Sequence, residues 1–86
     1  MKKTKYKIGN SVKHNKIELN KVYRFKEKTV IDNRETVHFY LAKVTKEYNK
    51  YFLIKKYPEE SYGKPITSTI LKAKMIMGYI SVYELV

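Results

Sequence analysis

The chain has 86 residues, no cysteine, 14% aromatic residues and a formal net charge of +11. That length makes one domain and buries roughly 60% of the surface of the unfolded chain, so the core has to come from aliphatic and aromatic side chains. The lack of cysteine excludes a disulfide framework, a thiol nucleophile and a Cys/His metal cluster together.

The charge is unevenly placed. Residues 1–28 hold ten Lys/Arg against two acids, and residues 29–86 hold nine against six. Charge of one sign gathered at one end predicts an anionic partner: nucleic acid, an acidic protein or an anionic lipid surface. Solubility alone is the competing reading. Seventeen of the basic residues are lysine, and Arg24 and Arg34 are the two arginines. Lysine is a flexible point charge, whereas arginine reads guanine bidentately, so an anionic backbone is the expected target rather than a base sequence. Met1-Lys2-Lys3 opens as a signal peptide would, but Thr4-Lys5-Tyr6-Lys7 is polar where an apolar segment would follow. No apolar run approaches the roughly 18 residues that span a bilayer, so no transmembrane segment and a cytoplasmic location are expected.

Residues 1–16 read as a basic N-terminal arm, partly ordered near Tyr6 to Val12, with Gly9-Asn10 offering a two-residue hairpin turn as the alternative. Residues 17–86 read as a single small β-barrel domain. In Leu19 to Lys28, Tyr23 and Phe25 alternate with Arg24, Lys26 and Lys28, the period of a strand with one apolar and one basic face. That strand continues through Thr29-Val30-Ile31 to turn residues Asp32-Asn33-Arg34-Glu35. Thr36 to Tyr57 is the organising stretch: two runs of β-branched and aromatic residues flank a polar break, as in a hairpin.

A turn centred on Asn33-Arg34 places Tyr23 opposite Val44, Phe25 opposite Ala42 and Glu27 opposite Tyr40. A turn at Glu47 to Lys50 places Val44 opposite Leu53. Tyr23, Phe25, Tyr40, Ala42, Val44 and Leu53 then share the core face. The other face holds Arg24, Lys26, Lys28, Lys43 and Lys56 among Phe39, Leu41, Phe52 and Ile54; the alternative is that a curled sheet covers those four apolar residues with its later strands.

Pro58 to Pro65 reads as a loop. Ile66 to Met77 is ambiguous. Leu71, Ala73, Met75 and Met77 alternate with Lys72 and Lys74 as in a strand, while Thr67-Ser68-Thr69 as caps and Gly78 at C′ suit one short helix near Ser68–Met77. The lysine alternation favours the strand. Tyr79 to Val86 reads as the final strand. Gly78-Tyr79-Ile80-Ser81-Val82-Tyr83-Glu84-Leu85 resembles the last strand of Src-homology-3-type barrels: Gly, an aromatic, a β-branched residue, Ser or Pro, then a short turn to Tyr or Leu. The likeness implies a mainly β fold, a five-strand barrel with one short 3₁₀ turn, and implies no ligand. The tryptophan used by the proline-peptide and cell-wall-binding versions is missing.

No active site stands out. Ser11, Ser61, Ser68 and Ser81 lie in no nucleophile elbow, three glycines do not build a phosphate-cradling loop, and the adjacent carboxylates Glu59-Glu60 belong to a polar loop. His14 and His38, both near lysines, offer acid–base cleavage of RNA, with ordinary surface histidines the preferred reading. No enzyme activity, cofactor or metal is expected.

The remaining constellation interleaves lysine and tyrosine: Lys46, Tyr48, Lys50, Tyr51, Lys55, Lys56, Tyr57, Tyr62 and Lys64. Lysines neutralise phosphates and aromatic faces stack on bases, although small β cores also use tyrosine with its ring inside. The expectation is a small basic barrel that binds DNA or RNA through phosphates with weak sequence specificity. Arg24, Lys26, Lys28, Lys43, Lys50, Lys55 and Lys56 are its contacts, with Tyr48 and Tyr51 as stackers. The alternative is an inhibitor or adaptor, of the kind mobile elements carry, docking its basic face on an acidic protein. A third is the lysine-rich arm on an anionic membrane.

Overall fold

The computed structural model describes residues 8–57 and 64–86. In chain order these form β1 (Ile8–Ser11), a 3₁₀ turn (His14–Lys16), β2 (Lys21–Ile31), β3 (Arg34–Glu47), β4 (Tyr51–Tyr57), β5 (Ile66–Leu71), α1 (Lys72–Ile76) and β6 (Ile80–Leu85). The six strands make one antiparallel sheet in the order β1-β6-β2-β3-β4-β5. The protein is mainly β, as its composition predicts. It has six strands rather than five, and among the described residues no ladder joins β1 to β5 to close a barrel.

The central hairpin turns on Asp32 and Asn33, whose φ angles are +51° and +64°. Positive φ at both central residues is the mark of a type I′ turn, whose twist matches that of the flanking strands. The β2–β3 register therefore differs from the expected one by two residues: Tyr23 pairs with Ala42, Phe25 with Tyr40 and Glu27 with His38. A slip of two keeps every side chain on its expected face.

The β3–β4 register differs by one, and that reverses β4. Val44 pairs with Ile54, and the ladder shifts between Val44 and Lys46, leaving Thr45 as the extra residue of a β-bulge. The Thr45 hydroxyl donates to the Leu53 carbonyl at 3.1 Å across this irregularity. Phe52 and Ile54 consequently enter the core, Leu53 leaves it, and Lys55 takes the face expected for Lys56.

The core is Tyr23, Phe25, Ala42, Val44, Phe52, Ile54, Ile70, Ile80 and Val82, each no more than 3% exposed. Ile70 on β5 and Val82 on β6 belong to it although their strands stand four positions apart in the sheet. In a flat sheet they would lie about 19 Å apart, so the sheet curls and its concave side packs on itself. The mouth is filled from the connections: Val12, Ile17 and Met75 pack against the core. The Tyr23 hydroxyl, inside this core, accepts the Glu18 N–H at 2.9 Å, so its burial leaves no polar atom unpaired.

Ile66 to Met77 divides into β5 and then α1, and Thr67, Ser68 and Thr69 lie within the strand instead of capping the helix. The helix N-cap is Leu71, with no side-chain cap. Its C-terminal end follows the sequence signal. Gly78 has φ +88°, its N–H donates to the Met75 carbonyl at 3.2 Å, and the Tyr79 N–H donates to the Lys74 carbonyl at 2.9 Å, which is a Schellman motif. Lys72 fastens the helix to the sheet through Glu47 at 2.7 Å. The expected basic arm is part of the fold from Ile8 onwards. There β1 pairs with β6, and a Cβ on Gly9 would stand 2.7 Å from Val86 Cγ2, so a larger residue there would have to displace the Val86 side chain. Residues 1–7 of the arm and 58–63 of the expected loop lie outside the described residues.

The two β4 registers make opposite demands on neighbouring residues. Ile54→Ala is expected to destabilise the protein by about 2–5 kcal/mol and Phe25→Ala by about 3–5 kcal/mol. Leu53→Ala, on the outer face, is expected to cost about 1 kcal/mol or less. Urea denaturation midpoints check this, and a larger loss for Leu53→Ala than for Ile54→Ala would restore the other register.

Candidate nucleic-acid interface

Because the core side chains alternate along each strand, their neighbours form the convex face. From β2 it carries Arg24, Lys26 and Lys28, and from β4 Lys55. From β3 it carries Lys43 and, because the bulge at Thr45 shifts the alternation, Lys46 as well. Among the described residues the acid on this face is Glu35, which pairs with Lys28 at 3.4 Å. Among the described residues the other five cations have no acid partner.

Lys43 and Lys55 stand directly opposite each other in the β3–β4 ladder. Like charges in that position oppose pairing, because their Cβ atoms are only about 5 Å apart. An anion seated between them would remove the repulsion.

An apolar ridge runs between the cationic rows: Val37, Phe39 and Leu41 on β3. Phe39 is 47% exposed, and the Arg24 guanidinium lies 4.5 Å from its ring centroid. This contact holds the guanidinium over the ring by cation–π attraction.

Of the nine residues expected to bind, Arg24, Lys26, Lys28, Lys43 and Lys55 share this face. Tyr51, next to buried Phe52 on β4, falls on this face by the same alternation, and the other three lie elsewhere. Lys56 is on the concave side, its Nζ 4.3 Å from the Tyr40 ring centroid. Lys50 is in the β3–β4 turn, where its carbonyl accepts the Lys72 N–H at 2.9 Å. Tyr48 and Tyr51 stack on each other with centroids 4.7 Å apart, so each ring has one face already taken. Lys46 and Phe39 are the additions. Alternation alone puts Phe39 on the basic face without marking it as a contact, and Lys46 depends on a bulge that leaves no mark in the residue pattern.

At the open end of the concave side, Tyr40 donates its hydroxyl hydrogen to Glu27 Oε1 at 3.1 Å and stacks on Phe25 at 5.4 Å between centroids. Burial, and then the charge and hydrogen bond of Glu27, hold the Tyr40 hydroxyl well above the usual tyrosine range. Glu27 and Tyr40 line a cleft of about 450 Å³ with Thr29, His38, Phe39, Lys56, Tyr57 and Ile66. His14 lines different clefts, beside the 3₁₀ turn, so the two histidines do not meet as an acid–base pair. Among the described residues no three His, Asp or Glu side chains gather as a metal site needs. No described helix is long and apolar enough to cross a membrane. No protein-family model, curated protein or solved structure matches this chain.

The tyrosine at the mouth carries a pH signature. Folded Tyr40 keeps its proton where an unfolded tyrosine loses it, so its contribution to stability is complete below about pH 10 and is lost as the pH rises toward the folded pKa. The difference in unfolding free energy between the unmodified protein and Tyr40→Phe is expected to be flat from neutrality to about pH 9.5 and to fall above it. Urea melts across that range measure the difference, and a flat difference up to about pH 11 would mean that Tyr40 titrates like a free tyrosine.

Proposed function

We propose that the protein is a non-enzymatic, cytoplasmic nucleic-acid-binding protein that contacts phosphates with its convex sheet face. The observation that carries this reading is the Lys43–Lys55 pair within a face of five cations lacking acid partners among the described residues. Such a face loses repulsion when a polyanion lies across it, and a phosphate backbone supplies evenly spaced charge together with release of its counterions. Lysine as the dominant cation supports weak sequence specificity. The likeness of Gly78 to Leu85 to the last strand of Src-homology-3-type barrels belongs to the same proposal and adds a fold relationship without a ligand. A second reading, docking on an acidic protein, draws support from Val30 and Ile31 at the tip of the β2–β3 hairpin, which are 55% and 64% exposed.

With about five phosphates neutralised, log K is expected to fall against log salt with a slope of roughly −3.5 for single strands or −4.5 for duplex. Lys43→Glu replaces a like-charge pair by an opposite-charge pair. It is expected to stabilise the fold by about 0.2–1 kcal/mol while weakening oligonucleotide binding and making the slope shallower by about one. Anisotropy titrations at several salt concentrations, paired with urea melts, measure both effects. No oligonucleotide binding at low salt, with saturable binding to an acidic protein, would favour the second reading.

A further inference from the structure

The convex face offers a ring as well as charge. Phe39 lies on the apolar ridge of β3, with Arg24 and Lys26 on the adjacent β2, and with Lys43 four residues further along β3 beside Lys55 on β4. We infer that this face takes single-stranded nucleic acid in preference to duplex, with a base stacked on Phe39 and the adjoining phosphates on the flanking cations. The inference rests on the phosphate-binding reading and adds to it the class of strand.

Three geometric points favour the single strand. Base faces are open only when a strand is unpaired, and an exposed aromatic on a sheet can engage only an open face. Next, the four strands β6, β2, β3 and β4 span about 14 Å between the outermost axes before side chains are added, whereas the major groove, about 12 Å wide, admits a helix or a two-stranded ribbon. The body of the sheet therefore stays outside the groove, and its outward curvature meets a cylinder along a line. A flexible strand can follow that curvature.

The third point concerns the part of the molecule narrow enough for a groove. Beyond residue 27 on β2 and before residue 41 on β3, the hairpin has no further strand paired to either edge among the described residues. At its end Lys28 and Arg34 are offset by Asp32 and Glu35, so this ribbon gains nothing from the phosphates that line a groove. The cations lie instead on the broad face. Arg24 covers one side of the Phe39 ring and extends the platform, since a guanidinium plane also stacks on bases.

Fluorescence anisotropy at one fixed salt concentration tests the inference, using a labelled mixed-sequence strand of about 12 nucleotides, its duplex, and heparin as a polyanion without bases. The single strand is expected to bind at least about tenfold more tightly than the duplex, and Phe39→Ala to lower its affinity about 5- to 150-fold. Duplex and heparin binding should not change, and Phe39→Trp should bind the strand as well as the unmodified protein does. Equal affinity for strand and duplex, or an unchanged affinity in Phe39→Ala, overturns the stacked single strand and leaves phosphate binding standing. Absence of binding to strand and duplex at low salt overturns phosphate binding itself, and the inference with it. If Phe39→Ala disturbs folding, the ratio of strand to duplex affinity in the unmodified protein decides alone.

Discussion

The sheet has to curl because little else among the described residues is available to cover it. Apart from one five-residue helix and a 3₁₀ turn, the described residues hold no element that could form a second layer. A sheet buries its apolar face against something, and here it buries that face against itself. Bringing Ile70, Phe52 and Ile54 into contact with the cluster that includes Ile80 and Val82 closes a core of nine side chains. Val12, Ile17 and Met75 then seal the remaining side, and Lys72 ties the helix to β3 through Glu47. Every other feature follows from this closure, including the bulge at Thr45 that turns β4 so that Phe52 and Ile54 point inward.

The same closure decides where charge goes. Along each strand the neighbours of core residues face the opposite side, so a sheet packed on its concave side turns those neighbours onto its convex face. Arg24 lies between Tyr23 and Phe25, and Lys43 between Ala42 and Val44; in each case both neighbours are buried. The backbone beneath each cation is therefore held by the core, even though lysine heads move freely. Rigid placement of like charges lowers the stability of the isolated protein and raises the gain when a polyanion arrives.

Much of this was legible in the alternation. Tyr23, Phe25, Ala42 and Val44 could be assigned to one face and Arg24, Lys26, Lys28 and Lys43 to the other, because period two within a strand needs no knowledge of its partner. The glycine stop at Gly78 was legible for a similar reason: a positive φ after a helix is a local demand. What failed was information held between strands. The residue types at Asp32 to Glu35 do not single out Asp32-Asn33 as a two-residue turn, and the resulting offset in register is even, so it leaves every face unchanged. The bulge at Thr45 moved the next register by one, exchanging Lys55 for Lys56 and Leu53 for Ile54. The first strand was missed because Ile8–Ser11 is short and polar, and becomes a strand only beside β6.

The place of β6 in the sheet bears on how the chain assembles during synthesis. Of the six strands it is made last, yet it lies between β1 and β2. Until residues 80–85 leave the ribosome, β1 has no partner and the outer edge of β2 is open from Arg24 to Glu27. The hairpins from β2 to β5 can form early because their contacts are close in sequence, whereas the final insertion joins segments more than fifty residues apart. During that interval an open strand edge is a template for pairing with neighbouring nascent chains. Arg24 and Lys26 lie along that edge, and charge there opposes such pairing. Under the proposed reading the two residues have two uses: their charge opposes pairing at the edge of an unfinished sheet, and it adds to the binding surface once β6 has sealed that edge.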